Sequence, residues 1–207
     1  RTIYSISILL KERFFNIEKN KNKRLSFFDS LKAYQRKSSK EIDGFLIHNG
    51  VLFTNKNDIF TKDPNRLIRV FRIKQQFNVS LGINLKNKIT NSIPLIDNQV
   101  INSLDAADSF KAILSTPGKV YPILKEMHFL GVLGRYIPEF AELTCLIQHE
   151  YYHIYTADEH VLRTIRHLDN VFAKKSSMDI VYEKVLRKNN SPHLLYIILL
   201  LHDIGKS

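Results

Sequence analysis

Leu201-His202-Asp203-Ile204-Gly205-Lys206 sets an imidazole and a carboxylate side by side directly after eight apolar residues, 194–201. Polar groups on so apolar a helix end are costly to bury unless a divalent cation compensates them. His160 supplies a third donor, and the gap of 202 − 160 = 42 residues holds two helices and a connection. Antiparallel packing of those helices would bring His160, His202 and Asp203 to one point. Two imidazoles and one carboxylate suit a divalent metal (Mg2+, Mn2+, Zn2+ or Fe2+), with positions left for water and a phosphate oxygen. That is the equipment of a metal-dependent phosphohydrolase. Lys206 would offset phosphate charge, and Gly205 lets the chain turn beside it. The competing reading makes His202 a C-terminal histidine favoured by the helix dipole, with Asp203 in solvent.

Two other patterns compete for chemistry. His149-Glu150-Tyr151-Tyr152-His153 fits H-E-x-x-H, which on a helix would hold zinc with the glutamate as base. The extended protease pattern wants Gly and His where this chain has Thr156 and Glu159. Arg66, Arg69 and Arg72 recur at every third residue of one helix, where guanidinium forks would match nucleotide phosphates or, equally, form a solvated face. His48, His128, His167 and His193 lack partners at ligand spacing and are given no role.

The elements that must position these residues are mostly helical. Apolar residues at near-helical spacing predict helices over 1–15 and 27–34, on either side of a Lys/Asn-rich break. Residues 45–53 read as two short strands around Asn49-Gly50, a hairpin signal, and as the only sheet structure. Asp63-Pro64 opens a helix whose inward stripe is Leu67, Ile68 and Phe71. Residues 83–119 read as short helices broken by Asn, Ser and Pro. Residues 120–133 read as a helix closing at Gly131 and Gly134, and Pro138 starts another. Thr156-Ala157-Asp158-Glu159 has the form of a capping box, which puts His160 in the first turn of a helix running to Phe172. A helix around 180–186 and a buried one opened by Ser191-Pro192 complete the series.

With 207 residues and 44% hydrophobic content the chain can bury an ordinary core without disulfides. One cysteine, Cys145, excludes a disulfide framework and a cysteine zinc site and fits a reducing cytoplasm. The apolar runs fall far short of the roughly 20 residues that span a bilayer. A net charge of +11 is partly held in Lys/Asn-rich runs typical of solvated loops. The first residue is Arg1 and the last, Ser207, directly follows the most site-like motif, so the chain reads as an interior fragment.

Four stretches carry a resemblance. Gly131-Val132-Leu133-Gly134-Arg135-Tyr136-Ile137-Pro138-Glu139-Phe140, followed by the run from Gln148 through His153 to His160, closely resembles the bifunctional uridylyltransferase/uridylyl-removing enzymes of the nitrogen regulatory protein PII. Leu201-His202-Asp203-Ile204-Gly205-Lys206 is similar to the HD-superfamily metal motif of that family. Asp63-Pro64-Asn65-Arg66-Leu67-Ile68-Arg69-Val70-Phe71 looks like the helix after the nucleotidyltransferase core there and in tRNA nucleotidyltransferases.

The resemblance implies a mostly α fold. A helical arm with one hairpin, residues 1–130, would follow a nucleotidyltransferase core, and residues 131–207 would begin an HD-type helical bundle. It implies a cytoplasmic enzyme that transfers UMP from UTP to a PII tyrosine and hydrolyses it off at the HD site. His160, His202 and Asp203 would be the metal ligands and Lys206 a catalytic neighbour, with Arg66, Arg69 and Arg72 toward the nucleotide. PII, UTP and UMP are the implied partners, with no membrane and no nucleic acid. The family's fourth ligand aspartate, its Gly-Ser nucleotide loop with paired aspartates and its ligand-sensing domains have no counterpart in the 207 residues. The chain alone would therefore lack transferase activity, and with the fourth ligand missing it is expected to be inactive as a hydrolase too. Two alternatives are a helical RNA- or nucleotide-binding module resembling tRNA nucleotidyltransferases, and the H-E-x-x-H protease.

Overall fold

The computed structural model describes residues 40–144, 156–173, 186 and 191–204. The chain divides into two units, Arg1–Lys40 and Glu41–Ser207, and all the described residues but Lys40 belong to the second. The helices expected over 1–15 and 27–34, the H-E-x-x-H segment, most of 180–186, Gly205 and Lys206 lie outside the described residues.

Among the described residues the fold is mostly α with one small sheet. Strands β1 (Lys40–Ile42), β2 (Phe45–His48), β3 (Val51–Phe53) and β4 (Ser80–Leu81) lie side by side in that order. The Asn49-Gly50 hairpin forms as expected, with Leu46 opposite Phe53 and His48 opposite Val51. Both turn residues have positive φ, 47° and 74°, as the tight right-twisting turn requires. The hairpin is not the only sheet structure, which corrects the expectation. Asp43-Gly44, also at positive φ, turns β1 onto β2, while β4 pairs in parallel with β3 after a helical excursion.

That excursion is α1 (Ile59–Lys62) and α2 (Arg66–Phe77). Asp63 accepts a hydrogen bond from the Asn65 amide (3.2 Å), tying down the start of α2. Leu67, Ile68, Val70, Phe71 and Ile73 put α2 at the centre of the core. Then come α3 (Ile83–Asn91), a 3-10 turn (Ile93–Leu95), α4 (Asn98–Ile101) and α5 (Leu104–Leu114), the predicted run of short helices. Helices α6 (Tyr121–Phe129), α7 (Val132–Tyr136) and α8 (Pro138–Glu142) follow. Gly131 ends α6 at φ +81°, but Gly134 is no stop and lies inside α7. A Cβ at Gly134 would come within 3.2 Å of Ala141 Cβ, so glycine there lets α7 and α8 approach closely.

Helix α9 (Ala157–Phe172) has the predicted span, and α10 (Pro192–Leu201) follows Ser191. One cluster of buried side chains runs from Phe45 through α2, α5 and α6 to Leu200, so the core is continuous across residues 130 and 131. The expected burial of α10 is only half right. Tyr196 and Leu200 are buried, whereas Leu194, Ile198 and Leu201, on another face, are 40–61% exposed.

Candidate metal centre

Helix α9 buries Ala157, Asp158, Val161, Leu162, Ile165 and Asp169, a single stripe at helical spacing. Each fully buried aliphatic side chain in it contributes about 1.5–3 kcal/mol. Near each end of the stripe is a carboxylate, Asp158 and Asp169. On α10 the buried positions Tyr196 and Leu200 continue to Asp203 at i, i+4 and i+7, which turns the Asp203 side chain inward. Asp203 is 4% exposed.

The start of α9 meets the end of α10. The donor atoms of His160, His202 and Asp203 all lie within 4.8 Å of one another. His202 Nε2 stands 3.3 Å from Asp203 Oδ1, and His160 Nε2 stands 3.9 Å from Asp203 Oδ2. Two ligand atoms on a tetrahedral ion at Zn–N and Zn–O lengths lie about 3.3 Å apart, so the first pair is at bridging distance and the second slightly wide. His202 Nδ1 lies 2.7 Å from the Leu199 carbonyl oxygen. A proton on Nδ1 donated to that carbonyl leaves Nε2, which faces Asp203, as the lone-pair nitrogen. The two imidazole centroids are 5.8 Å apart. Two nitrogens and an inward carboxylate oxygen form a donor set suited to a divalent cation.

The capping box does not form. Thr156 is the N-cap residue without a side-chain cap bond, because the Glu159 amide donates to Asp158 Oδ1 (3.0 Å) and the Glu159 carboxylate pairs with Arg163 (3.1 Å). Asp158 faces inward onto α6, where its Oδ2 meets His128 Nε2 at 3.1 Å. Burial alone would raise the Asp158 pKa, but hydrogen bonds from His128, Thr156 and the Glu159 amide prevail and lower it. His128, given no role from spacing, thus ties α6 to the first turn of α9.

A second tie sits further along α9. Asp169 Oδ1 accepts from the Gly118 amide (3.0 Å) and the Tyr196 hydroxyl (2.6 Å), and its Oδ2 accepts from the Tyr121 amide (2.7 Å). Asp169 thereby caps α6 from a neighbouring helix and holds α10. Burial pushes Asp169 upward despite these donors, and burial together with Asp169 pushes Tyr196 upward. Neither Asp158 nor Asp169 was singled out in the sequence, although both occupy stripe positions of α9.

The arginine row is placed differently. Arg66 binds Asp43 (3.0 Å) and approaches Asp63 (3.8 Å), while Arg69 meets Asp43 (3.3 Å), Asp63 and Asp105 (3.2 Å). Their guanidiniums join the first sheet turn to α2 and α5. Arg72 is exposed.

Residues 45–136 match the family described as "Uridylyltransferase GlnD third domain". A "Bifunctional uridylyltransferase/uridylyl-removing enzyme" of Rhodopseudomonas palustris is 34% identical over 176 residues, 84% of this chain and 19% of that protein. Its namesake in Caulobacter vibrioides is 32% identical over 175 residues, again 84% of this chain and 19% of that protein. The chain belongs to this uridylyltransferase family. The family match covers β2 to β4 and the helices through α7, and so leaves β1, His160, His202 and Asp203 outside it. The chain spans about a fifth of the length of the curated relatives it matches, from the 19% coverage of each. No helix of the described residues is long and apolar enough to cross a membrane.

Proposed function

We propose that the chain is part of a bifunctional uridylyltransferase/uridylyl-removing enzyme of the cytoplasm that moves UMP from UTP to a tyrosine of PII and removes it by metal-dependent hydrolysis. Removal is assigned to the His160, His202 and Asp203 cluster, and the convergence of these donors from α9 and α10 is the observation that carries the reading. A divalent cation held there would polarise a phosphoryl oxygen and lower the pKa of a water. Asp203 brings charge from the buried side, His202 is oriented by the Leu199 carbonyl, and His160, 41% exposed at its side chain, faces the solvent side where a modified tyrosine would enter. Lys206 remains the candidate to offset phosphate charge. Of the arginine row, Arg72 is the member proposed to meet a nucleotide, since Arg66 and Arg69 are held by aspartates. Transfer is assigned to sequence additional to these 207 residues, and the chain alone is proposed to be inactive as a transferase.

The test uses the whole enzyme carrying His202→Ala. UMP release from modified PII should fall at least about 100-fold, the upper end of the loss seen when only a supporting partner of a metal ligand is removed, while UMP transfer persists. Release at the unmodified rate would end the proposal.

A further inference from the structure

The Asp169 node joins the same two helices as the ligand cluster, but at some distance from it. Residues 160 and 169 are separated by about 13.5 Å along α9, and Tyr196 lies about 7.5 Å before the end of α10 at Leu201, with Asp203 in the turn beyond, at 1.5 Å per residue. Between them the helices meet through apolar side chains, with Leu162, Ile165 and Leu200 in the shared core. Apolar packing is non-directional and by itself fixes axial position weakly. The Tyr196 hydroxyl bond differs: a rigid ring with few rotamers, 2.6 Å from a carboxylate that two backbone amides of another segment already orient.

We propose that Asp169 and Tyr196 are positioning residues which set the register of α10 against α9, and so the separation of His160 from His202 and Asp203. The inference rests on reading that cluster as a ligand set. Tyr196 and Leu200 share one face of α10, and Asp203 continues that face in the turn just beyond Leu201, so rotation or sliding at Tyr196 is transmitted along the helix toward the carboxylate. The His160 to Asp203 distance of 3.9 Å leaves little room for slip, since a shift of one helical rise, about 1.5 Å, would carry the pair beyond any common ion. Asp169 also caps α6, whose other end holds Asp158 through His128, so α9 is tied to α6 near both ends independently of α10.

The experiment compares Tyr196→Phe with Ile68→Val, a core change in α2, in the full 207-residue chain. Two readouts are taken well below the melting temperature: calorimetric Mn2+ affinity, and the imidazole nitrogen signals of His160 and His202 by NMR without metal. Tyr196→Phe should weaken Mn2+ binding about tenfold, as loss of a supporting partner does, and should move both imidazole signals. Ile68→Val should lower the melting temperature and change neither. Unchanged affinity together with unmoved signals in Tyr196→Phe overturns the proposal. Moved signals in a chain that takes up no Mn2+ uphold the positioning role and remove the metal reading instead. If Tyr196→Phe fails to fold, Asp169→Asn, which keeps the side-chain shape, is read by the same criteria.

Discussion

Asp203→Asn separates a metal ligand from a structural ion-pair partner, because the two roles predict opposite effects on the metal-free chain. The Asp203 side chain is 6% exposed, with imidazole nitrogens at 3.3 and 3.9 Å. If its role were to pair with protonated histidines, removing the charge from a buried pair would cost about 3–5 kcal/mol. At about 2–4 °C per kcal/mol for a domain of this size, that is a fall of roughly 6–20 °C in Tm. If Asp203 is there for a cation, the metal-free carboxylate is a liability, and the isosteric amide should leave Tm unchanged or raise it by up to about 4 °C. Mn2+ at 100 times its Kd stabilises the folded state by about 2.7 kcal/mol. The unsubstituted chain should then melt about 5–11 °C higher with metal than without. In Asp203→Asn this increment should shrink below about 2 °C, since a neutral amide replaces the charged donor. Scanning calorimetry with and without Mn2+ reads both quantities. A metal-free variant that melts more than about 6 °C lower, with its Mn2+ increment intact, would refute the reasoning.

Gly131→Ala should lower stability by more than about 1–2 kcal/mol, because the residue sits at φ +81° and its new Cβ would lie 3.0 Å from Ile93 Cδ1; urea unfolding checks it, and a neutral result would contradict the strained turn. Alkaline stability tests the Asp169 node from the tyrosine side. The Tyr196 pKa is raised above the ordinary 10.0 by burial and by Asp169, so its contribution is whole below pH 10 and is lost as pH climbs through the raised value. Unfolding curves between pH 8 and 11 should therefore fall more steeply for the unsubstituted chain than for Tyr196→Phe, and equal slopes would remove the argument.

What the sequence disclosed and what it hid follow from the range of the interactions. Asn49-Gly50 is legible because a two-residue turn demands positive φ at both positions, a local requirement written in residue types. Asp43-Gly44 makes the same demand, but only Ile42 of the preceding strand is apolar, so no alternating run announced it. The two residues of β4 are set by pairing with β3 across α1 and α2, which no local pattern records. Arg66 and Arg69 could be read equally as a phosphate-binding or a solvated face, because their partners, Asp43, Asp63 and Asp105, lie elsewhere in the sequence. The ligand candidates were legible by type and by the helix ends that hold them. The H-E-x-x-H segment lies outside the described residues, and no geometry bears on it.

Asp158 and Asp169 were hidden for a different reason, and it bears on how the site is held. Carboxylates within a helix are ordinarily solvent-facing, so neither drew notice; placed on the stripe of Val161, Leu162 and Ile165, however, both must face the core. A carboxylate forced inward needs donors, and the structure supplies them from outside α9: His128 for one, Tyr196 and two backbone amides for the other. These bonds stabilise the packing modestly and orient it strongly, because each has a direction that apolar contacts lack. His160 lies off the stripe with its side chain 41% exposed, at the margin of the core, while the helix that carries it is fixed at both ends. Asp203 comes to the same margin from the buried side of α10. A buried charge meeting two part-exposed imidazoles leaves one side of the cluster open to solvent.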